Sequence, residues 1–418
     1  MRILWLSDFY PPHIGGLERH VQMIAGELAS RGHEVSVATI WHEGTPSFEW
    51  DEGVRVYRFK GTAQSYGFLF SDAHRRFHPT APDPLIVKSI LEVVSREKPQ
   101  IVIASGWILY SFLPIKARSK AKLFVRHHDY AFICPKRTLF MNGAVCTGPG
   151  IYKCYPCTAD HYGWLRGPII NTSFRIFSQW HGLVDLHLPI SQYVAEIFKR
   201  SHVLHPDSIR VIPAPVPDEI FEYQPQNRLP NQISECDGFI LYVGALTKTK
   251  GLDILFEAYR GLEERAKLVL IGTEWPDSPS SYPEGVIVIK NAPHHTVMEA
   301  FSRCLFSVVP SIWPEPFGQV AVEAMAVRKP VIASAHGGLT DIVIHKKTGL
   351  LVEAGEASIL HHAMSQLLGD KILRQELGAA GYSRAKQLFT RSQVTNQLEA
   401  ICEEAIETSR ADYEYKVA

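Results

Sequence analysis

The chain has no excess of either charge. Lysine plus arginine and aspartate plus glutamate both number 43 in 418 residues. That argues against a nucleic-acid binder held by bulk charge, and no nucleic-acid partner is expected. No run approaches the ~20 apolar residues of a membrane span. The opening "MRILWLSDFYPP" has too short an apolar stretch for a signal peptide and reads as a first strand. The expectation is a cytoplasmic protein, with peripheral association at the inner face of a membrane left open. Internal repeats and low-complexity tracts are missing, and "HIGGLE" after the first strand does not match the Gly-x-Gly-x-x-Gly of a dinucleotide-binding dehydrogenase.

What is present is ordinary globular material, 46% hydrophobic and 21% charged, with enough length for two domains. Strand and helix patterns alternate twice. "RILWLSDF", "HEVSVATI", "VRVYRF", "IVIASG" and "AKLFVRHHD" read as strands of a first half, with helices at "GLERHVQMIAGELASRG" and "LIVKSILEVVSREKP" between them. The alternation restarts after the proline-rich "IRVIPAPVPDEIF" with "GFILYVGAL", "KLVLIG", "GVIVIK", "LFSVVPS" and "PVIAS". The fold class is therefore α/β, with two Rossmann-like doubly wound domains facing each other across a cleft. The expected division is 1–213, 214–385 and a C-terminal helix at 386–418 that packs back on the first domain. "YSRAKQLFTRSQVTNQLEAICEEAIETSR" reads as one long helical pattern.

The segment "WPEPFGQVAVEAMAVRKPVIAS" (313–334) carries two glutamates eight positions apart, Glu315 and Glu323. "QVAVEAMAV" is apolar on almost every face, so Glu323 lies in a helix that packs inside, where a lone carboxylate is costly. Glu315 precedes the helix, whose first amides, around Phe317 to Val320, form an anion site at the carboxyl end of a strand. One reading is an anion over the helix tip with both glutamates available to hydroxyl groups. The other is a partly exposed Glu323 paired with a basic neighbour. These residues alone do not separate them.

With "PPHIGGLERHVQMIAGELASRGHEVSVAT", "LYVGALTKTKGLDILFEAY", "PSIWPEPFGQVAVEAMAVRKPVIASAHGGLTDIV" and "TGLLVE" in that order, the chain resembles the glycosyltransferases of family four over nearly its whole length. The resemblance implies a GT-B fold and sugar transfer from a nucleotide donor with retention at the anomeric carbon. It places Glu315 on the donor sugar, Glu323 on the ribose, and the Pro316–Phe317–Gly318 loop on the diphosphate. Gly15 and Gly16 would let a loop approach the donor phosphate. Lys250 matches the lysine that neutralises the leaving group. The family's usual arginine is replaced by Ala245, and Lys248 could supply a point charge in its stead, without the arginine's planar fork. His128, then Asp129, in "RHHDY" would contact donor sugar or acceptor and are the catalytic candidates with Glu315. The plain alternative is that His127 and His128 are loop residues and Asp129 a cap. The chain contains no Asp-x-Asp, which agrees with a reaction needing no catalytic cofactor or metal. UDP-sugars are the commonest donors of the family.

Four of the seven cysteines, Cys134, Cys146, Cys154 and Cys157, fall in an insertion at about 130–165. Four thiols among glycines and prolines suit a structural zinc. A redox pair, an iron–sulfur cluster and four reduced thiols are the competing readings; the resemblance, which includes a similar arrangement in a subset of the family, favours shaping of the acceptor cleft. The acceptor itself is an unidentified hydroxyl compound, a glycan, lipid-linked or small molecule. Arg75, Arg76 and His74 in a second insertion could meet a phosphate or carboxylate, or form a solvated loop. A nucleotide-sugar epimerase of the same fold and a degenerate, non-catalytic subunit are the alternatives to transfer.

Overall fold

The computed structural model describes the chain except residues 13–14, 66–77, 142, 202–203, 227–228, 235, 237, 263–265 and 418, with backbone alone at 63–64 and 409–417. Arg75, Arg76 and His74 therefore lie outside the described residues. The chain divides into two compact units, Met1–Pro215 with Arg391–Ala418, and Val216–Thr390.

The first unit is built on β1 (Arg2–Ser7), β2 (Glu34–Ile40), β3 (Phe48–Asp51), β4 (Val54–Phe59), β5 (Ile101–Ser105) and β6 (Lys122–His127). A two-residue hairpin, β7 (Phe140–Met141) with β8 (Ala144–Val145), stands apart, and β9 (Leu186–Pro189) completes the sheet. The spatial order is β3-β4-β2-β1-β5-β6-β9, parallel except for β3. The apolar runs are continuous rather than alternating because a parallel sheet is covered on both faces. Helix Gly16–Ser30 presents Val21, Ile24, Ala25 and Leu28 at helical spacing to Trp5, Val37 and Ile103 of the sheet. Val394, Leu398 and Cys402 of the terminal helix Arg391–Val417 join the same core. Arg31, paired with Glu27 of its own helix at 2.9 Å, fastens the terminal helix through Glu399 at 2.7 Å.

The second unit contains β10 (Phe239–Val243), β11 (Lys267–Gly272), β12 (Val286–Lys290), β13 (Phe306–Val309), β14 (Val331–Ser334) and β15 (Leu350–Val352). They form one all-parallel sheet in the order β12-β11-β10-β13-β14-β15. In each unit the strand order reverses once, between β1 and β5 and between β10 and β13. Such reversals are where ligands bind in open α/β sheets, because the two flanking loops part at the carboxyl ends.

The long helical pattern read at the C-terminus is in fact two helices, Lys371–Leu388 and Arg391–Val417. The break at Phe389 and Thr390 is a tertiary effect. Val216 N–H donates to the Phe389 carbonyl at 2.8 Å, and Val216 bridges Thr390 as a short parallel pair. Phe389 is buried edge-on against Phe317.

Candidate active site

In the second unit the reversal point is lined by two loops. After β10 the chain makes a 3-10 turn, Lys248–Lys250, closed by Gly251 in a left-handed conformation (φ 80°). An added Cβ at Gly251 would overlap the Pro310 carbonyl, so this turn lies directly on the loop after β13. The Thr249 carbonyl accepts from the amides of Ile312 and Trp313, at 3.1 and 3.0 Å, and holds the two loops in register. The Lys250 ammonium is thereby set 2.5 Å from a carboxylate oxygen of Glu315 and 4.8 Å from the centre of the Trp313 ring. Lys248 occupies the exposed end of the same turn.

Gly318 (φ 115°) ends the β13 loop and opens helix Gln319–Ala326. Pro316 and Phe317 are buried beneath it. Glu315 and Glu323 are both buried, at 8% and 7% exposure, so the reading of a partly exposed Glu323 fails. A carboxylate so placed in an apolar helix needs polar company. The loop after β14 closes over this segment: Gly338 N–H donates to the Glu315 carbonyl at 2.6 Å, and an added Cβ at Gly337 would come 2.6 Å from the same oxygen. His336 precedes those glycines. Burial pulls its pKa down, while backbone groups of Trp313 and Ser311 and the Glu315 charge oppose the shift. Its Nε2 has no hydrogen-bond partner among the described residues. The arrangement thus offers a lysine, two buried carboxylates, a neutral imidazole and a helix start, which together suit an anion carrying hydroxyl groups.

In the first unit, Asp8 follows β1 and accepts from the amides of Trp107 and Ile108, after β5, at 3.0 and 2.7 Å. Gly106 (φ 98°) is required there, since an added Cβ would overlap the Asp8 carboxylate. Burial pushes the Asp8 pKa up to about 6, against the opposing charge of Arg137. Arg137, itself in the left-handed region (φ 70°), pairs with Asp129 at 2.8 Å and approaches Asp8 at 3.7 Å. Asp129 also caps its own turn through the Ala131 amide at 2.8 Å, so capping and pairing coexist.

His128 lies 3.3 Å from the Ser105 hydroxyl through Nε2, and its ring stacks on His20 with centroids 5.7 Å apart. Burial first, then the charge of Arg126, holds its pKa well below the ordinary value. The ring is therefore neutral at neutral pH, and its Nδ1 has no hydrogen-bond partner among the described residues. His128, Asp129 and Arg137 line one small pocket with Gly106 and Trp107. His127, by contrast, is a core residue, 3.0 Å from His187 and edge-on to Phe132 and Phe198. Gly15 caps and Gly16 begins helix Gly16–Ser30. An added Cβ at Gly15 would run into the buried Glu18 carboxylate.

Cys134, Cys146, Cys154 and Cys157 all line a single pocket under the β7–β8 hairpin. They are free thiols, and among the described residues no group of three or more metal-binding side chains converges. Burial raises the Cys134 and Cys157 pKa values. The donor set suits zinc, while the thiols as placed do not form a closed tetrahedron.

Sequence patterns left Asp8, Arg137, His20 and His336 unnoticed. Asp8 directly follows the first strand and His336 lies just past β14, so position relative to a strand end was the available signal for these two.

Residues 14–220 match the family described as Glycosyltransferase Family 4, and residues 224–384 the family described as Glycosyl transferases group 1. An uncharacterized glycosyltransferase of Methanocaldococcus jannaschii is 36% identical over 158 residues, which is 36% of this chain and 43% of that protein. A second uncharacterized glycosyltransferase of that organism is 24% identical over 394 residues, 88% of this chain and 90% of the other. The solved structure of Anabaena HepE with UDP has a TM-score of 0.69 and 18% identity, covering 97% of this chain and 100% of that one. At that identity the likeness shows the fold, which is GT-B.

Proposed function

We propose that this chain, which belongs to the group 1, family 4 glycosyltransferases, moves a sugar from a nucleoside diphosphate sugar to a hydroxyl acceptor, with retention and without a catalytic metal. The observation that carries this reading is the Lys250–Glu315 pair at the reversal point of the second sheet. A cation beside a helix start suits a diphosphate leaving group, whose developing charge it would stabilise. Glu315 is assigned to hydroxyls of the donor sugar and Glu323 to those of the ribose. The Pro316–Phe317–Gly318 loop is assigned to the diphosphate, Lys248 to outer phosphate charge, and Gly15 and Gly16 to backbone approach. His128, neutral and with an open Nδ1, is a hydrogen-bonding group for sugar or acceptor, oriented by Ser105. Asp129, held by Arg137, is the carboxylate beside it.

UDP is the nucleotide to test first, since HepE was solved with UDP. The test is a thermal-shift series with UDP, GDP, ADP, dTDP and CDP on the wild type, Glu323→Gln and Glu315→Gln. A ligand at ~100 times its dissociation constant stabilises the folded state by about 2.7 kcal/mol. One nucleotide should shift the wild type, fail to shift Glu323→Gln, and still shift Glu315→Gln. Equal shifts in all three proteins would remove the ribose assignment. Nucleotide release without any acceptor would favour an epimerase, and unchanged turnover in EDTA is expected for transfer without a metal.

The cysteine pocket is proposed to hold a structural zinc, on its thiol composition alone. Metal analysis of protein purified without chelators tests this, with close to one zinc per chain expected. The proposed setting is the cytoplasm, at the inner face of a membrane.

A further inference from the structure

Most of a folded protein's large apolar side chains are covered, and scattered exceptions are normal. Here four of the fifteen large apolar side chains exposed among the described residues fall within thirteen positions, Trp164, Leu165, Ile169 and Ile176. Helix Ile151–Tyr162 and helix Arg166–Phe177 form a hairpin. The two helices run antiparallel: Gly167 lies against the Thr158 backbone, while Tyr155 meets Thr172 at 3.0 Å. Gly167, Asn171 and Phe174 point inward, and Thr80 fastens this side through Ser173 at 2.5 Å. On the opposite face lie Leu165, Ile169, Thr172 and Ile176, spaced i, i+4, i+7 and i+11 and all exposed. Leu165 is 62% exposed, Ile169 64% and Ile176 54%, and Trp164, at the head of the stripe, is 82% exposed.

A solvent-facing helix ridge should be polar, so this one is inverted. Its charges are also of one sign. From His161 to Val184 the sequence contains no acidic residue, and Arg166 and Arg175 fall on the two sides of the apolar ridge, near +100° and about −80° from Leu165 at ~100° per residue. A ridge about 16 Å long, apolar along its crest except at Thr172, with arginines on both flanks and tryptophan at one end, matches a helix lying in a headgroup layer. Arginine stems can cover apolar surface while their heads reach anionic phosphates.

We propose that the Arg166–Phe177 helix, with Trp164, is the surface by which this protein docks on an anionic lipid bilayer. This deepens the membrane setting proposed above, and vesicle binding and sugar transfer can fail separately because the test requires no turnover.

The experiment is flotation of the full chain with vesicles of phosphatidylcholine alone or mixed with phosphatidylglycerol, at low and high salt. The wild type should float with the anionic vesicles at low salt and much less with the neutral ones. Arg166→Gln with Arg175→Gln should weaken partitioning about thirty-fold. Ile169→Ser with Ile176→Ser should weaken it at least about tenfold. Melting temperatures of both double variants should match the wild type, since the altered residues lie outside the core. Failure to float with either vesicle overturns the proposal, as does binding that neither double variant reduces. Sedimentation velocity without lipid covers the other occupant: self-association abolished by Ile169→Ser with Ile176→Ser would give the ridge to a second copy of the chain and overturn the lipid assignment.

Discussion

Lys250 and Glu315 stand 65 residues apart in the chain and 2.5 Å apart in the structure. Their pairing joins the two loops that part at the strand reversal of the second sheet. The ammonium is shared between that carboxylate and the Trp313 ring, so a bound diphosphate would compete for a charge already positioned. Lys250→Ala is expected to lower kcat by roughly 100-fold or more, the scale of losing one positioned donor at a developing oxyanion. KM for the donor should change far less, because a leaving-group charge grows in the transition state. Steady-state kinetics on donor and acceptor separates the two parameters. An unaltered kcat would remove Lys250 from the leaving-group role.

Asp8 and Arg137 give a pH-dependent expectation. The Asp8 pKa rises from 3.8 to about 6 in the folded protein, mainly through burial. Between those values the folded state keeps a proton that the unfolded chain has released, so stability falls as pH rises through that window. Arg137 limits the rise. Arg137→Ala should raise the Asp8 pKa further and leave its carboxylate uncompensated above it. The variant should therefore lose more stability at pH 8 than at pH 5, by about 1–2 kcal/mol. Arg137→Lys, which retains the charge, should keep the wild-type pH profile even where it loses the fork to Asp129. Urea melts at both pH values measure this, and an equal loss at both would show that Arg137 acts by packing alone.

How much of this was legible beforehand depends on the range of the interactions. β1, β5, β10 and β13 could be read because a strand buried on both faces writes its burial locally, as an unbroken apolar run. The Glu315–Glu323 segment could be read because proline, glycine and carboxylates occur there at fixed spacing. The Asp8–Arg137 approach could not, since Arg137 arrives from the cysteine insertion and no spacing connects it to the first strand. Nor could the helix break at Phe389, where neither glycine nor proline interrupts the periodicity and the cause is the bridge to Val216. The Arg166–Phe177 helix escaped for the opposite reason. Phe174 is buried, but Ile169 and Ile176 face outward, so a rule that assigns apolar positions to cores gives those two the wrong face.

A cluster of buried histidines gives an expectation for the response to acid. His127 on β6, His187 on β9 and His181 in the turn Ser178–Leu183 surround Phe132. His181 and His187 are pulled from 6.5 to about 3, and His127 well below 6.5, chiefly by burial. Their folded pKa values are depressed, so below pH 6.5 the unfolded chain takes up protons that the folded one refuses. Stability is then lost as pH falls from 6.5 toward 3, by about 1.4 kcal/mol per pH unit for each histidine. His181 stacks on Phe132 with centroids 3.6 Å apart. His181→Phe should preserve that stacking, lose the 3.1 Å contact to the Tyr110 hydroxyl, and shallow the acid slope by about one proton. Denaturant melts between pH 4 and 7 read the slope directly, and a slope identical to the wild type would show that His181 is not among the groups titrating.

Gly251 tests whether the lysine turn must lie where it does. Its φ of 80° is in the left-handed region, and a methyl group there would meet the Pro310 carbonyl oxygen. Neither term relaxes easily, because Pro310 belongs to the loop that Thr249 already holds through the Ile312 and Trp313 amides. Gly251→Ala is expected to cost a few kcal/mol of stability, more than the mid-helix alanine preference could return. It should also slow turnover, since moving the turn carries Lys250 away from Glu315. A melt alone would not separate strain from lost function, so the variant is measured beside Lys250→Ala. Gly251→Ala should be the less stable of the two, while both turn over slowly. If it melted with the wild type and kept its activity, the lysine turn would be free to move off the Pro310 loop, and the close packing of the two loops would not be what positions the ammonium.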